Sequence, residues 1–314
     1  MESVPSLPLI VADNCTRLPQ FRTRTIITER NGRKVVCKQA LAEQAIPFLK
    51  LIIERERKNA EYLRGRFDPL CGRLTGNVIE YEYLPYQSLL NSIAGHLADR
   101  RWAEADRLFQ DYVNRLNSLP KIQTVPEEFL KTFDGDKNAG NQKLECLSRG
   151  LLDLTPRNIL VDGDRWVIVD HEWSFDFPVP VVFVVFRAVR EAAVVLQSQI
   201  RAAASRTMPV TDIFALGLQK LYVPVLWAQH ITDTPITSSR MLRWELGFQR
   251  YVRGSSCRSV GRIISTPKTR TKFSERAYAR RQHLATAARK ALKVLPGLRG
   301  VLDSVEKRLL DLDR

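Results

Sequence analysis

Residues 11–20 of this chain contain no glycine. Backbone N–H groups of the kind that glycine-rich turns use to cradle anions are therefore not evident there. No G-x-G-x-x-G follows a predicted strand anywhere, which excludes the dinucleotide-binding fingerprint. The five cysteines (Cys15, Cys37, Cys71, Cys146, Cys257) are odd in number and scattered, with no CxxC pair. That pattern suggests neither a disulfide framework nor a zinc site, and it fits a reducing cytosol. The longest apolar run, Phe177 to Phe186, is too short to span a bilayer and is interrupted by Pro178 and Pro180. The opening MESVPSLPLIV has no basic region before its apolar run, so no signal peptide is expected.

What is present is a chain of 314 residues, 44% hydrophobic and 26% charged, which is long enough to bury a substantial core in one large or two smaller lobes. Its net charge of +15 is unevenly placed. Residues 237–314 hold 19 Lys/Arg against 6 Asp/Glu, a net of +13, whereas the remainder holds 30 against 28. The body is nearly neutral, and the basic C-terminal quarter calls for an anionic partner: membrane, nucleic acid or an anionic glycan.

In chain order, Leu7 to Val11 reads as a first strand. Thr23 to Glu29 and Arg33 to Gln39 flank Asn31-Gly32, the residue pair of a tight type I′ hairpin turn. Lys38 lies near the end of the second of these strands, in VVCKQA. Buried there, its ammonium needs a partner; the alternative is a solvent-facing lysine on the strand face it shares with Val36. Residues 41–64 read as a long helix with Ala45, Leu49, Ile52, Glu56, Ala60 and Leu63 on one stripe. A carboxylate on that stripe is costly unless paired, so a Lys38–Glu56 ion pair is expected, with Glu54 and Glu61 as other candidates. Asn77 to Leu84 reads as a strand, and residues 93–117 as a second long helix. Residues 119–147 read as a polar, loop-rich insertion with a short helix. Residues 174–181 read as an extended linker, and further helices are expected over 182–204, 210–230 and 238–252. Two basic helical stretches, about 273–294 and 298–312, close the chain.

The chemistry concentrates in residues 151–173, LLDLTPRNILVDGDRWVIVDHEW. Asp153 and Asn158 are five apart. Two apolar runs flank Asp162-Gly163-Asp164-Arg165, a strong hairpin signal. The second run ends at Asp170, with Glu172 two residues on. Such a hairpin brings Asp153 and Asn158 close to Asp170, and carboxylate and amide oxygens of this kind suit Mg²⁺ together with substrate phosphates. The competing reading is a surface hairpin with ordinary turn polars.

The whole order now matters. A hairpin carries a Lys, a helix carries an inward Glu, and a strand leads to a connecting segment. A helix follows, then D-x4-N, a hairpin, and D-x-E at Asp170-His171-Glu172. This resembles the two-lobed protein-kinase-like fold, especially the aminoglycoside and choline phosphotransferases. DLTPRNILV, VDHEW and FDFPVPVVFVVFRA are most similar to kinase domains of bacterial polysaccharide-modifying proteins. Those cap a growing lipopolysaccharide O-antigen chain by phosphorylating its terminal sugar, and in that family they are often fused to a methyltransferase or glycosyltransferase. The resemblance covers roughly residues 20–200. It implies an α+β fold: an N-terminal antiparallel sheet lobe over residues 1–84, a larger helical lobe over 85–272, and a basic helical tail over 273–314.

The resemblance also implies an ATP- and Mg²⁺-dependent phosphotransferase with a hydroxyl acceptor. Asp153 would be the base or orienting group for the acceptor. Asn158 and Asp170 would hold Mg²⁺, and Glu172 would assist the metal or meet the sugar. Lys38 would meet the α/β phosphates, held by Glu56. Glu82 and Leu84 would offer backbone hydrogen bonds to adenine. The expected acceptor is a sugar hydroxyl of a polysaccharide precursor. The alternatives are a small molecule of the aminoglycoside or choline type, a pseudokinase that only binds nucleotide, and a basic module for single-stranded nucleic acid, which carries no recognised motif. Residues 273–314 mix apolar and basic residues at helical spacing, as a helix lying on an anionic membrane surface does; the alternative is a solvated helical face. The expected location is the cytoplasm, with the inner face of the membrane as the site the tail would favour.

Overall fold

The computed structural model describes residues 9–99, 101–134, 143–195, 228–229, 231–234 and 236–254. The basic stretches over 273–314 and the helix expected over 210–230 lie outside these, apart from Ala228 and Gln229. The chain begins with β1 (Leu9–Asp13), β2 (Thr23–Arg30), β3 (Arg33–Ala40), α1 (Ile46–Leu63), β4 (Asp68–Pro69), β5 (Arg73–Thr75) and β6 (Val78–Glu82). Asn31 and Gly32 close the β2–β3 hairpin at φ 52° and 72°, as the Asn-Gly pair predicts. A five-stranded antiparallel sheet follows, in the order β1-β2-β3-β6-β5. Lys38 sits opposite Thr25 on one neighbour and Ile79 on the other. Its side chain is buried, so it faces inward and not to solvent.

Pro47 starts α1, where a missing N–H costs nothing. The helix buries Leu49, Ile52 and Leu63, as the stripe predicts, together with Glu56 and, off the stripe, Phe48. It also buries Arg55 and Asn59, while Ala60 is only half-buried. Asn59 is drawn in because its amide donates to Ser174 Oγ at 2.8 Å and accepts from Arg149 Nε at 3.1 Å.

A larger, mainly helical part follows. It holds β7 (Gln87–Ser88), α2 (Leu89–Ala98), α3 (Trp102–Asn117), β8 (Lys121–Ile122), α4 (Glu127–Phe129), β9 (Cys146–Leu147), β10 (Gly150–Leu151), β11 (Ile159–Asp162), β12 (Arg165–Ile168), β13 (Ser174–Phe175), β14 (Val179–Pro180), α5 (Val181–Val195) and α6 (Ser238–Arg253). A second sheet has the order β4-β12-β11-β7. The architecture is the two-lobed α+β arrangement expected: a small antiparallel sheet beside a larger helical body.

Three expectations need correction. The helix over 93–117 is two helices packed as a hairpin, because the charged run at residues 99–101 offers nothing to bury. The insertion over 119–147 is not merely polar. Phe129 and Phe133 are fully buried and meet Trp244, Phe183, Phe175 and Phe248 edge-on. The 174–181 segment is not a simple extended linker but carries β13 and β14. Behind them α5 is buried almost throughout its described side chains, which pins the 151–173 stretch from below. At Gly247 the chain passes so close to Phe133 that a Cβ would lie 1.9 Å from its carbonyl oxygen. This contact fixes α6 against the helical turn at residues 130–134.

Candidate active site

The β11–β12 hairpin turns on Gly163 at φ 59°, the first of two central positions, where a positive φ suits glycine. The hairpin returns the chain beside the loop that opened it. Val169 N donates to Asn158 O at 3.0 Å, and Trp173 N donates to Asp153 Oδ2 at 3.0 Å. Asn158 turns its amide nitrogen to Asp153 O at 3.1 Å, which leaves its side-chain oxygen as the end free for a ligand.

Asp153, Asp170 and Glu172 thus converge, with one oxygen of each within 4.8 Å of the others. Asp170 is the most accessible, with a side chain 30% exposed against 12% and 3% for Asp153 and Glu172. Three anions this close require cations. Lys38 Nζ donates to Asp170 Oδ1 at 2.9 Å and lies 3.9 Å from Glu172 Oε2. Arg17 Nη1 donates to Glu172 Oε1 at 2.6 Å, and Thr23 Oγ1 donates to the same oxygen at 3.2 Å. Arg187 Nη2 stands 3.8 Å from Asp153 Oδ1 while its Nε donates to Leu152 O. Arg187 is itself held by Glu245, which also takes Arg190.

These placements shape the electrostatics. Burial opposes ionisation of Asp170, but Lys38 beside it prevails and holds its carboxyl below the usual range. Burial, reinforced by the Asp170 charge, pushes Asp153 well above it. Burial works against the Lys38 ammonium too, yet Asp170 and Glu172 outweigh it and raise its pKa. Two carboxyls pushed apart in this way are what general acid–base and metal chemistry require of neighbouring groups.

The expected Lys38–Glu56 ion pair is not the one formed. Glu56 is inward and buried, but its carboxylate accepts from Tyr81 OH at 2.6 Å and Gly72 N at 2.9 Å. Burial raises its pKa, which those two bonds and nearby Lys38 only partly offset. Lys38 instead goes to Asp170 and Glu172. Glu82 ends β6 and Leu84 lies in the segment that links it to β7, so both sit at the crossing between the two sheets. Sequence reasoning missed Arg17, Thr23, Arg187 and Glu245. No local pattern marks them, because each is brought in from a distant element. A basic residue in the glycine-free stretch after the first strand was the one available signal.

His171, between Asp170 and Glu172 in the chain, is buried. Asn59 Nδ2 donates to its Nδ1 at 3.3 Å. Burial lowers its pKa to about 4. The unfolded chain, with a histidine pKa near 6.5, therefore binds the extra proton first as pH falls. His171 costs no stability above about pH 6.5 and costs progressively more down to about pH 4, up to roughly 3 kcal/mol. Asp153 and Glu56 act oppositely, since their raised pKa values favour the folded state in acid. The readout is therefore a difference. The urea stability of the metal-free wild type relative to His171→Gln falls between pH 7 and 4, and a difference independent of pH would contradict this placement.

No family model matches the chain, and no curated protein does. Solved structures are similar to it. They include a macrolide 2′-phosphotransferase, MphH, from Brachybacterium faecium, at 12% identity over 79% of this chain and 90% of that one, TM-score 0.38. A choline kinase, LicA, from Streptococcus pneumoniae is 12% identical over 94% of this chain and 95% of that one, TM-score 0.39. An ethanolamine kinase from Plasmodium vivax is 11% identical over 94% and 83%, TM-score 0.31.

Proposed function

We propose that the chain is an ATP- and Mg²⁺-dependent phosphotransferase acting on an alcohol, with a sugar hydroxyl of a bacterial polysaccharide or lipopolysaccharide precursor as acceptor. The observation that carries this is the meeting of Asp153, Asp170 and Glu172 oxygens within 4.8 Å, beside a buried lysine. The donor set fits Mg²⁺: hard oxygens only, one carboxylate reachable from solvent and an amide oxygen turned free. Asp170, Glu172 and Asn158 would hold the ion, and when bound it would neutralise charge on the transferring phosphoryl oxygens.

Each residue then has a task. Lys38 holds phosphate oxygens from the sheet side. Asp153 takes the proton of the acceptor hydroxyl, oriented by Trp173 N and by Arg187 behind it. Glu82 and Leu84 offer backbone groups to adenine. Glu56 acts through Tyr81 on β6 and Gly72 just before β5, not by gripping Lys38. In this reading the sheet lobe runs over residues 1–84, the helical lobe over 85–272, and 273–314 attaches to an anionic membrane surface. The test is transfer of the γ-phosphate of labelled ATP to a panel of O-antigen-type glycans, aminoglycosides and choline. Transfer to a glycan supports the full reading. Transfer only to a small molecule removes the glycan, and no transfer to any acceptor removes the catalytic reading.

A further inference from the structure

The stretch between β1 and β2 has no glycine at residues 11–20, yet it comes to the acidic cluster all the same. It does so with a side chain. Arg17 reaches Glu172 Oε1 at 2.6 Å, and its guanidinium lies 5.1 Å from the centre of the Trp173 ring. The backbone around it is pinned on several sides. Leu18 N donates to Val252 O at 3.0 Å on α6, Arg22 Nε donates to Arg17 O at 2.9 Å, and Phe21 packs against Phe48 and Trp173. The loop is a fixed mount, and the Arg17 side chain, 15% exposed, is its working end.

Resting on the proposed function, we infer that Arg17 is a phosphate ligand for the nucleotide, doing with a guanidinium what a glycine-rich turn does with backbone N–H groups, and that it caps Glu172 until metal arrives. Arg17 and a divalent cation compete for the same carboxylate, because both need Oε1 or its immediate surroundings. Arginine cannot shed its charge, so once displaced it must find another anion. The polyphosphate that Lys38 receives would lie within its swing. The planar guanidinium can take two phosphate oxygens at once, which lysine cannot. The face of Trp173 keeps the cation over the site in both positions. Lys38 has Glu56 nearby as a further carboxylate on its own side, whereas the carboxylate that holds Arg17 is Glu172.

The inference makes two predictions of opposite sign. In Arg17→Ala, Mn²⁺ alone binds several-fold more tightly, because its competitor at Glu172 is gone. Mn-ATP binds roughly ten- to a hundredfold more weakly, as loss of a charge-assisted contact implies. Adenosine, which has no phosphate, binds as it does to the wild type. Arg17→Lys restores the capping of Glu172 but not the two-point phosphate contact, so Mn-ATP stays weak. Mn²⁺ binding is read by electron paramagnetic resonance, and Mn-ATP and adenosine binding by calorimetry, on the full chain. If Arg17→Ala binds Mn²⁺ and Mn-ATP as the wild type does, the inference falls and the kinase reading stands. If all three affinities fall together, Arg17 serves only to order the fold and the inference falls. If the wild type binds no Mn-ATP, it is the kinase reading itself that fails.

Discussion

Replacing Asp153 by asparagine is expected to lower the rate of phosphate transfer by roughly 10²–10⁴-fold, the range for loss of a general base. Asparagine keeps the shape and the oxygen that accepts from Trp173 N at 3.0 Å. The loop that carries Asn158 therefore stays in place, and the affinity for Mg-ATP stays near the wild-type value. What asparagine cannot do is take a proton. The signature is a fall in kcat with little change in KM for ATP. Asp153→Ala is a poorer probe, since it leaves the Trp173 N–H without its carboxylate partner in a buried place. An unchanged kcat in Asp153→Asn on the identified acceptor would show that Asp153 is a structural carboxylate.

The second large effect is on stability. Lys38→Met keeps the apolar stem of a side chain that is 5% exposed and removes its charge. Asp170 and Glu172 are then left close together, with Arg17 paired to Glu172. Breaking a buried ion pair from one side costs about 3–5 kcal/mol. The partial exposure of Asp170 puts the expected loss toward the lower end. The same variant has a second readout. Because a divalent cation can replace the missing ammonium, Mg²⁺ should raise the melting temperature of Lys38→Met by more than it raises that of the wild type. Equal shifts in the two proteins would mean that the carboxylates beside Lys38 do not hold metal. Nucleotide affinity should also fall, because Lys38 is proposed to hold the phosphates.

The sequence made the core of this site legible because that core is local. Asp153, Asn158, Asp170 and Glu172 lie within 20 residues, and a hairpin with an Asp-Gly turn can fold them together in only a few ways. The inward Lys38 was legible as a charge within an apolar strand, and the inward Glu56 as a charge on an apolar helical stripe. Which charge meets which was not legible. Glu56 is satisfied by Tyr81 OH and Gly72 N, whose positions depend on the register of β6 and the loop before β5. Lys38 is free to go to Asp170 for that reason. Arg17 comes to Glu172 across 155 residues, and Arg187 meets Glu245 across 58. Nothing in the local pattern of either arginine marks such a partner. The errors in the fold have similar causes. A helical period read across residues 99–101 joined α2 to α3, and the polar surroundings of residues 119–147 hid the two phenylalanines that anchor them.

The measurement closest to the central claim is the thermal stability of the wild type and Asp170→Ala with ATP alone, Mg²⁺ alone and Mg-ATP. The account predicts that Mg-ATP stabilises the wild type by more than either component does. It predicts that the gain is lost in Asp170→Ala, whose acidic cluster keeps only two carboxylates. If Mg-ATP leaves the wild type unchanged, or stabilises Asp170→Ala to the same degree, the site around Lys38 and Asp170 is not a metal–nucleotide site.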